Sequence, residues 1–544
     1  MISRRKLFAF SGVAALAGAG GAAWMVADRY RLRPTGTSPV NPYPFDPIRA
    51  ENFQQKLFIP GASGPFGVLD VAGPLQIRAT AASFPILNGQ SSPFLLYQTE
   101  QAGKAFQNPI LRIESGARFQ ATLSNGLPQP TIIHWHGLHT PAAMDGHPAS
   151  TIGPGGRYDY DFTVRNRGGT YWYHTHAHEL TAEQAYGGLA SFFLVGDEDQ
   201  RKLAKALDLR LGETDLPLVI QDKQFDASGK LHYKPNMNES MMGWLGDIIL
   251  ANLTPNAFLT VTPRRYRLRL LNGSNSRIYR LAFAALNKPL DFVVIGTDGG
   301  LLEQPETVPE AYLAPGERLD VLFDAGQAQP GDDVFLRSLA FDPMENEGAG
   351  GMHGMPGMGG MGGKSSSRLP QGAEFNVLKL SVTAGERSAA PLPAKLSDVR
   401  AIRTEGAPER KIELSMDRMR FLINGRSFGM NDISFDVKRG AIEIWRIDNP
   451  ERGMPHPMHI HGFSFQVVER LNSPRQVSAG ARFGRGRLVS DLGWKDTVLV
   501  WPGETVRIAI DFAHPFAGDQ TYVFHCHNLE HEDGGMMINY RVTG

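Results

Sequence analysis

The only cysteine in the 544 residues, Cys526, stands between two histidines, His525 and His527. With a single cysteine no disulfide can form within the chain, so packed cores have to hold the fold. In an extended strand, successive side chains point to opposite faces. Cys526 then faces one way and both histidines face the other, so a single strand serves two sites on its two sides. His531 and Met536 follow closely.

A thiolate, two imidazoles and a weak thioether are the ligands of a blue copper electron-transfer site. Cys526, His531 and Met536 supply three of the four. Zinc fits less well, because a lone cysteine with a methionine partner is not one of its usual sets. Upstream, His456-Pro457-Met458-His459-Ile460-His461 offers the second imidazole, His456, and a further pair two residues apart, His459 and His461. His134-Trp135-His136 and His174-Thr175-His176 repeat the spacing, which on a strand puts each pair on one face. The four pairs 134/136, 174/176, 459/461 and 525/527 give the eight imidazoles needed by one mononuclear copper with two histidines and a dinuclear pair with six. A lone histidine on a strand is usually structural; four such pairs, one straddling the only cysteine, are hard to obtain that way.

The rest of the chain fits an all-β protein. Gly at 60 and Pro at 37 imply many turns and few long helices. Short alternating runs such as Ile110–Glu114, Tyr158–Val164 and Arg265–Asn272 read as half-buried strands, and a helix is expected near 199–208. The Arg264–Arg269 run is expected to be the solvated face of a strand. Lys plus Arg and Asp plus Glu are both 55, so no basic field favours nucleic acid. The expected division is 51–198, 199–400 and 401–544, three β-sandwich domains in tandem behind a Pro-rich linker at 31–50.

Residues 1–30 read as an address. Ser3-Arg4-Arg5-Lys6-Leu7-Phe8 precedes a weakly apolar Ala/Gly-rich run, the pattern of a bacterial twin-arginine export signal, which implies a periplasmic protein. No later segment is apolar enough to span a bilayer, so no stable membrane insertion is expected after export. A monomer is expected.

Together His134-Trp-His136-Gly137, His174-Thr-His176, His456-Pro-Met-His459-Ile-His461 and the run from His525 to Met536 resemble the four copper signatures of the multicopper oxidases, over about residues 50–544. Gly493-Trp494-Lys495-Asp496-Thr497-Val498 is another stretch typical of that family. The resemblance implies three cupredoxin-like Greek-key sandwiches and four copper ions. His456, Cys526, His531 and Met536 match the type 1 ligands, His134 and His459 the type 2 ligands, and His136, His174, His176, His461, His525 and His527 the type 3 ligands. It also implies one-electron oxidation of a donor at the type 1 site and reduction of dioxygen to water at the other three coppers. Asp145 and Glu532 match acids that supply protons. His139, His147, His178, His232 and His514 match no ligand position.

Three readings of the donor stand. The export signal, the Met- and Gly-rich stretch 344–367 and Ile423–Asn431 resemble the cuprous oxidases of copper tolerance. Thioethers select Cu(I), so Met344, Met352, Met355, Met358, Met361 and Met454 are candidate substrate-copper ligands. Arg452 and Phe341 stand where that group has an acid and a methionine, with Glu345 and Glu347 as candidate replacements. The second reading is a laccase-like oxidase of phenols at an open pocket near His456. The third is a non-catalytic copper-binding or envelope scaffold, against which the complete ligand set argues.

Overall fold

A computed structural model describes residues 47–544 apart from 88–89, 286–287, 348–365, 388–389, 418 and 452. The export segment, most of the linker, Met352, Met355, Met358, Met361 and Arg452 therefore lie outside the described residues.

Among the described residues, six β-sheets pair face to face into three sandwiches in chain order, each around its own apolar core. These are cupredoxin-like domains. Binary patterning explains the strands: in Arg157–Thr163 the inward positions Tyr160 and Phe162 are buried while the intervening acids are exposed. The expected helix forms at Glu198–Leu207, where the Asp197 side chain accepts from Gln200 N and caps the first turn.

Two differences from the sequence reading bear on domain boundaries. The strand Gln55–Lys56 pairs in parallel with Ala257–Phe258, so the chain enters through a sheet of the second sandwich before building the first. The Arg264–Arg269 run is not a solvated face. Arg265–Asn272 is an interior strand between Asp215–Lys223 and Arg318–Asp324. Arg267 is fully buried against Asp320, and Arg269 makes two 2.7 Å bonds to Asp215. Thr170 of the first sandwich bonds both Asp320 and Arg269, so the charged side of this strand is an interface between sandwiches.

Two ladders position the site. In the first sandwich His134, ending the strand Ile133–His134, lies opposite His174 of Gly169–Thr175. In the third, His459 of His456–Ile460 lies opposite His525 of Gln520–Cys526, with Met458 opposite Cys526.

Candidate metal centre

Each His-x-His pair begins on a strand and ends just beyond it. His136, His176, His461 and His527 follow the last residues His134, Thr175, Ile460 and Cys526. This corrects the expectation of pairs lying wholly within strands. A ring past the strand end is free of the pleat, and four such rings meet where the first and third sandwiches face each other. All eight histidines are buried.

The ring nitrogens divide cleanly into outward and inward sets. His134 Nδ1 donates to Asp145 O at 2.8 Å, His174 Nδ1 to Thr175 O at 2.8 Å and His459 Nδ1 to Asp496 O at 2.8 Å. His461 Nδ1 donates to Asp145 Oδ2 at 2.7 Å. A neutral imidazole with its proton on Nδ1 carries a lone pair on Nε2. Those lone pairs face one another: His461 Nε2 lies 3.1 Å from His525 Nε2, His176 Nε2 3.4 Å from the same atom, and His134 Nε2 3.4 Å from His459 Nε2. His136 is turned the other way, Nε2 to Asp496 Oδ1 at 3.0 Å and Nδ1 inward, 3.3 Å from His174 Nε2. His527 finds no hydrogen-bond partner for either nitrogen. Burial pushes His134, His136, His176, His461 and His527 well below the usual imidazole range and His174 to about 4. Shared protons are thus a poor way to reconcile these lone pairs, and bound cations are a good one. The donor set is all imidazole, which suits copper.

Three buried carboxylates each join one histidine of the first sandwich to one of the third. Asp145 meets His134 and His461. Glu532 approaches His176 Nδ1 at 3.5 Å and His525 Nδ1 at 3.2 Å. Asp496 meets His136 and His459. Asp145 and Glu532 are where the sequence predicts acids. Asp496 was visible only as part of a typical stretch, because nothing in its spacing reveals that it reaches His136, 360 residues away. The two predicted acids differ electrically. Burial pushes Asp145 well above the usual carboxylate range. Burial opposes ionisation of Glu532 too, but the imidazoles of His176 and His525 hold it down at about 2. Gly146 has φ +81°, and a Cβ there would lie 1.9 Å from Ile133 O, so glycine is what lets Asp145 close on His134.

On the other face of the strand Gln520–Cys526, Cys526 Sγ lies 3.4 Å from His456 Nδ1 and 3.6 Å from His531 Nδ1, and the two nitrogens are 3.2 Å apart. Met536 is buried in the same apolar cluster as Cys526, Met454 and Met458. Burial pushes the Cys526 thiol up and His456 down to about 3, and a cation among these three atoms relieves both. Asn528 N–H points at the sulfur at 3.4 Å.

This second cluster is roofed. His531 Nε2 bonds the Met241 carbonyl at 3.1 Å, and Phe421 stacks on the ring with centroids 4.1 Å apart. Met241 belongs to the helix Met237–Met242, whose Asn236–Glu239 capping box fixes its start. Glu530 ties both flanks, accepting from Tyr233 OH at 3.0 Å and Trp244 N at 3.0 Å. Glu239 also accepts from Ser366 N and Oγ, at the C-terminal side of the Met-rich stretch. On the other side of that stretch, Met344 packs on the Cys526 cluster. Of the candidate substrate-copper residues, Met454 is buried in that cluster; Glu345 is exposed and accepts from Gln476 N. The bystander histidines stay apart: His147 caps Ala149, His139 holds Gly462 O, and His178 meets Phe428 edge to face. His232 and His514 pack beside Trp244 and Phe516.

The family pattern described as "Multicopper oxidase" matches residues 98–200 and 393–544. The chain is 32% identical over 443 residues to multicopper oxidase mco of Staphylococcus haemolyticus, covering 80% of this chain and 82% of that protein. It is 33% identical over 439 residues to a laccase of Bacillus subtilis, covering 76% and 80%. The crystal structure of the McoA multicopper oxidase of Aquifex aeolicus superposes with a TM-score of 0.78 at 39% identity, over 90% of this chain and all of that one.

Proposed function

The chain belongs to the multicopper oxidases, oxidoreductases that use dioxygen and a reductant, and from that premise we propose that its reductant is Cu(I) and that it serves copper tolerance outside the cytoplasm. Four copper ions complete the reading: His456, Cys526, His531 and Met536 would hold the type 1 ion, His134 and His459 the type 2 ion, and His136, His174, His176, His461, His525 and His527 the type 3 pair. When bound, copper supplies one-electron acceptance at the thiolate and four-electron reduction of dioxygen at the imidazole group.

The protein's own part is positional. Cys526 is covalently continuous with His525 and His527, so the thiolate site and the imidazole group share one strand end. Asp145 and Glu532 lie on opposite flanks of that group, Asp145 Oδ2 accepting from His461 Nδ1 and Glu532 Oε2 facing His525 Nδ1, positions from which each carboxylate can take up a proton and pass it on. Buried surroundings keep the thiolate side apolar and exclude water.

The observation that carries the Cu(I) reading is the roof. The Met241 carbonyl occupies the outer edge of His531, where an aromatic donor would have to stack, and Phe421 covers the face. Met237 and Met242 are exposed on that roof helix, soft donors suited to a small Cu(I) ion. A laccase-like activity needs the roof to lift. The laccase of Bacillus subtilis among the relatives keeps that second reading in view.

Dioxygen uptake by copper-loaded protein, with Cu(I) and a phenol compared, tests the proposal, repeated on a variant lacking 348–363. Strong preference for Cu(I), weakened by the deletion, supports it. Phenol oxidation equal to or better than Cu(I), unchanged or improved by the deletion, makes the protein a laccase. Four bound coppers without uptake favour the scaffold reading.

A further inference from the structure

Away from the roofed thiolate site, a small apolar cavity, with about 30 Å³ of space for the centre of a water-sized molecule, opens between the first and second sandwiches. Phe66, Phe94 and Phe192 line it from one side and Val219 and Leu271 from the other, and its inner wall is Trp172. The indole of Trp172 is buried and lies against the imidazole group: ring centroids are 4.3 Å from His174, 4.9 Å from His136 and 5.5 Å from His527. One side chain therefore separates the cavity from the imidazole rings.

The wall offers a ligand almost no hydrogen bonding. Its hydroxyl and amide side chains are committed elsewhere: Ser191 Oγ donates to Asn108 O, Gln221 Nε2 to Gly273 O, and Asn252 Nδ2 to Pro217 O and Phe58 O while its Oδ1 accepts from Val219 N. The Trp172 indole N–H is buried without a partner, a single donor in a wall that is otherwise apolar or already satisfied, and a trapped water needs two or more polar partners, so the cavity prefers apolar occupants. Gly188 keeps the space open at a point where a Cβ would lie 2.2 Å from the Phe94 ring.

We infer that this cavity collects dioxygen and delivers it past Trp172 to the imidazole group. Dioxygen is apolar, small and more soluble in hydrocarbon than in water, and it is consumed at the rings that Trp172 touches. An aromatic electron donor is the other occupant an apolar cavity would take. The position argues against it, because the cavity lies on the imidazole side of the strand Gln520–Cys526 and a donor is served on the Cys526 side. The inference rests on the reading of the imidazole group as the dioxygen site.

The test has two arms. Crystals of the copper-loaded protein pressurised with xenon report occupancy without any turnover, since dry apolar cavities bind xenon. The inference expects a xenon site against Trp172 and Leu271; xenon elsewhere only, or none, overturns it. In the second arm Val219→Trp, on the partly exposed wall, fills the cavity while leaving every metal-site residue in place. It should raise KM for dioxygen roughly threefold or more with kcat at saturating dioxygen, donor KM and copper content unchanged. An unchanged KM for dioxygen in a copper-replete variant overturns the inference, as does a shift confined to the KM of a phenol, which would make the cavity a donor site. Absence of uptake by the unsubstituted protein is a different result: it removes the oxidase reading itself, and this inference with it.

Discussion

The Met241 carbonyl accepts a hydrogen bond from His531 Nε2 at 3.1 Å, so the second sandwich covers an imidazole that belongs to the third. His531 turns Nδ1 toward Cys526 and Nε2 toward this roof, so the helix Met237–Met242 stands directly against the outer edge of that imidazole.

Loosening the roof should widen the choice of donor. Glu239→Ala removes the capping box and both bonds to Ser366, a loss of about 1–2 kcal/mol of local stability. The ratio of kcat/KM for a bulky phenol to that for Cu(I) should rise several-fold, and hydrogen exchange at 237–242 should quicken. A more mobile roof with an unchanged ratio would show that it does not select the donor.

Arg318 holds Asp496 with both arms of its guanidinium, fully buried, and Asp496 in turn fixes His136 and His459. Arg318→Met leaves that carboxylate without its main partner, and breaking a buried pair from one side costs about 3–5 kcal/mol. Lower unfolding temperature together with loss of copper from the imidazole group is expected, with the blue absorption of the thiolate site retained in the folded fraction. Loss of stability alone would mean that the pair only cements the domains.

Asp145→Asn and Glu532→Gln preserve shape and remove a proton carrier. Each should lower kcat for dioxygen reduction about 10²-fold or more while leaving reduction of the thiolate site by donor in anaerobic stopped flow unchanged. Equal slowing of both steps would instead point to a displaced metal site.

Lys223 provides a pH test remote from the metals. Its ammonium is buried, donates to Tyr186 O at 2.6 Å and lies 4.0 Å over the Tyr186 ring. Burial pushes it down to about 7, against the opposing pull of Asp222 and Glu530. Between about pH 7 and the unfolded value near 10.4 the unfolded chain holds a proton that the folded chain has released, so this group's contribution rises with pH across that window. It is fully unfavourable below the folded value. Lys223→Met should therefore flatten the rise in stability between pH 7 and about 10, by an amount on the order of a few kcal/mol. Parallel stability–pH curves for the two proteins would contradict it.

The sites were legible in the chain because their ligands come in local pairs. His525-Cys526-His527 carries its two-sided geometry in the alternation of a strand, and three more His-x-His pairs repeat it. Alternating patterning likewise announced strands such as Arg157–Thr163. The Arg264–Arg269 run misled for a related reason. Alternation says which side chains share a face, but a charged face on an interface and one in water look alike in sequence.

What the sequence by itself determined, then, is which residues can ligate a metal and how neighbours on one strand divide between its faces, since both follow from covalent order and a two-residue repeat. Only the tertiary structure decided what meets across the sandwiches: Asp496 on His136, Met241 over His531, Trp172 between an apolar cavity and three imidazoles. Apart from Trp172 on His174, two positions along one strand, those contacts join residues tens to hundreds of positions apart. They are set by how three separately packed cores dock, and no local periodicity encodes that docking.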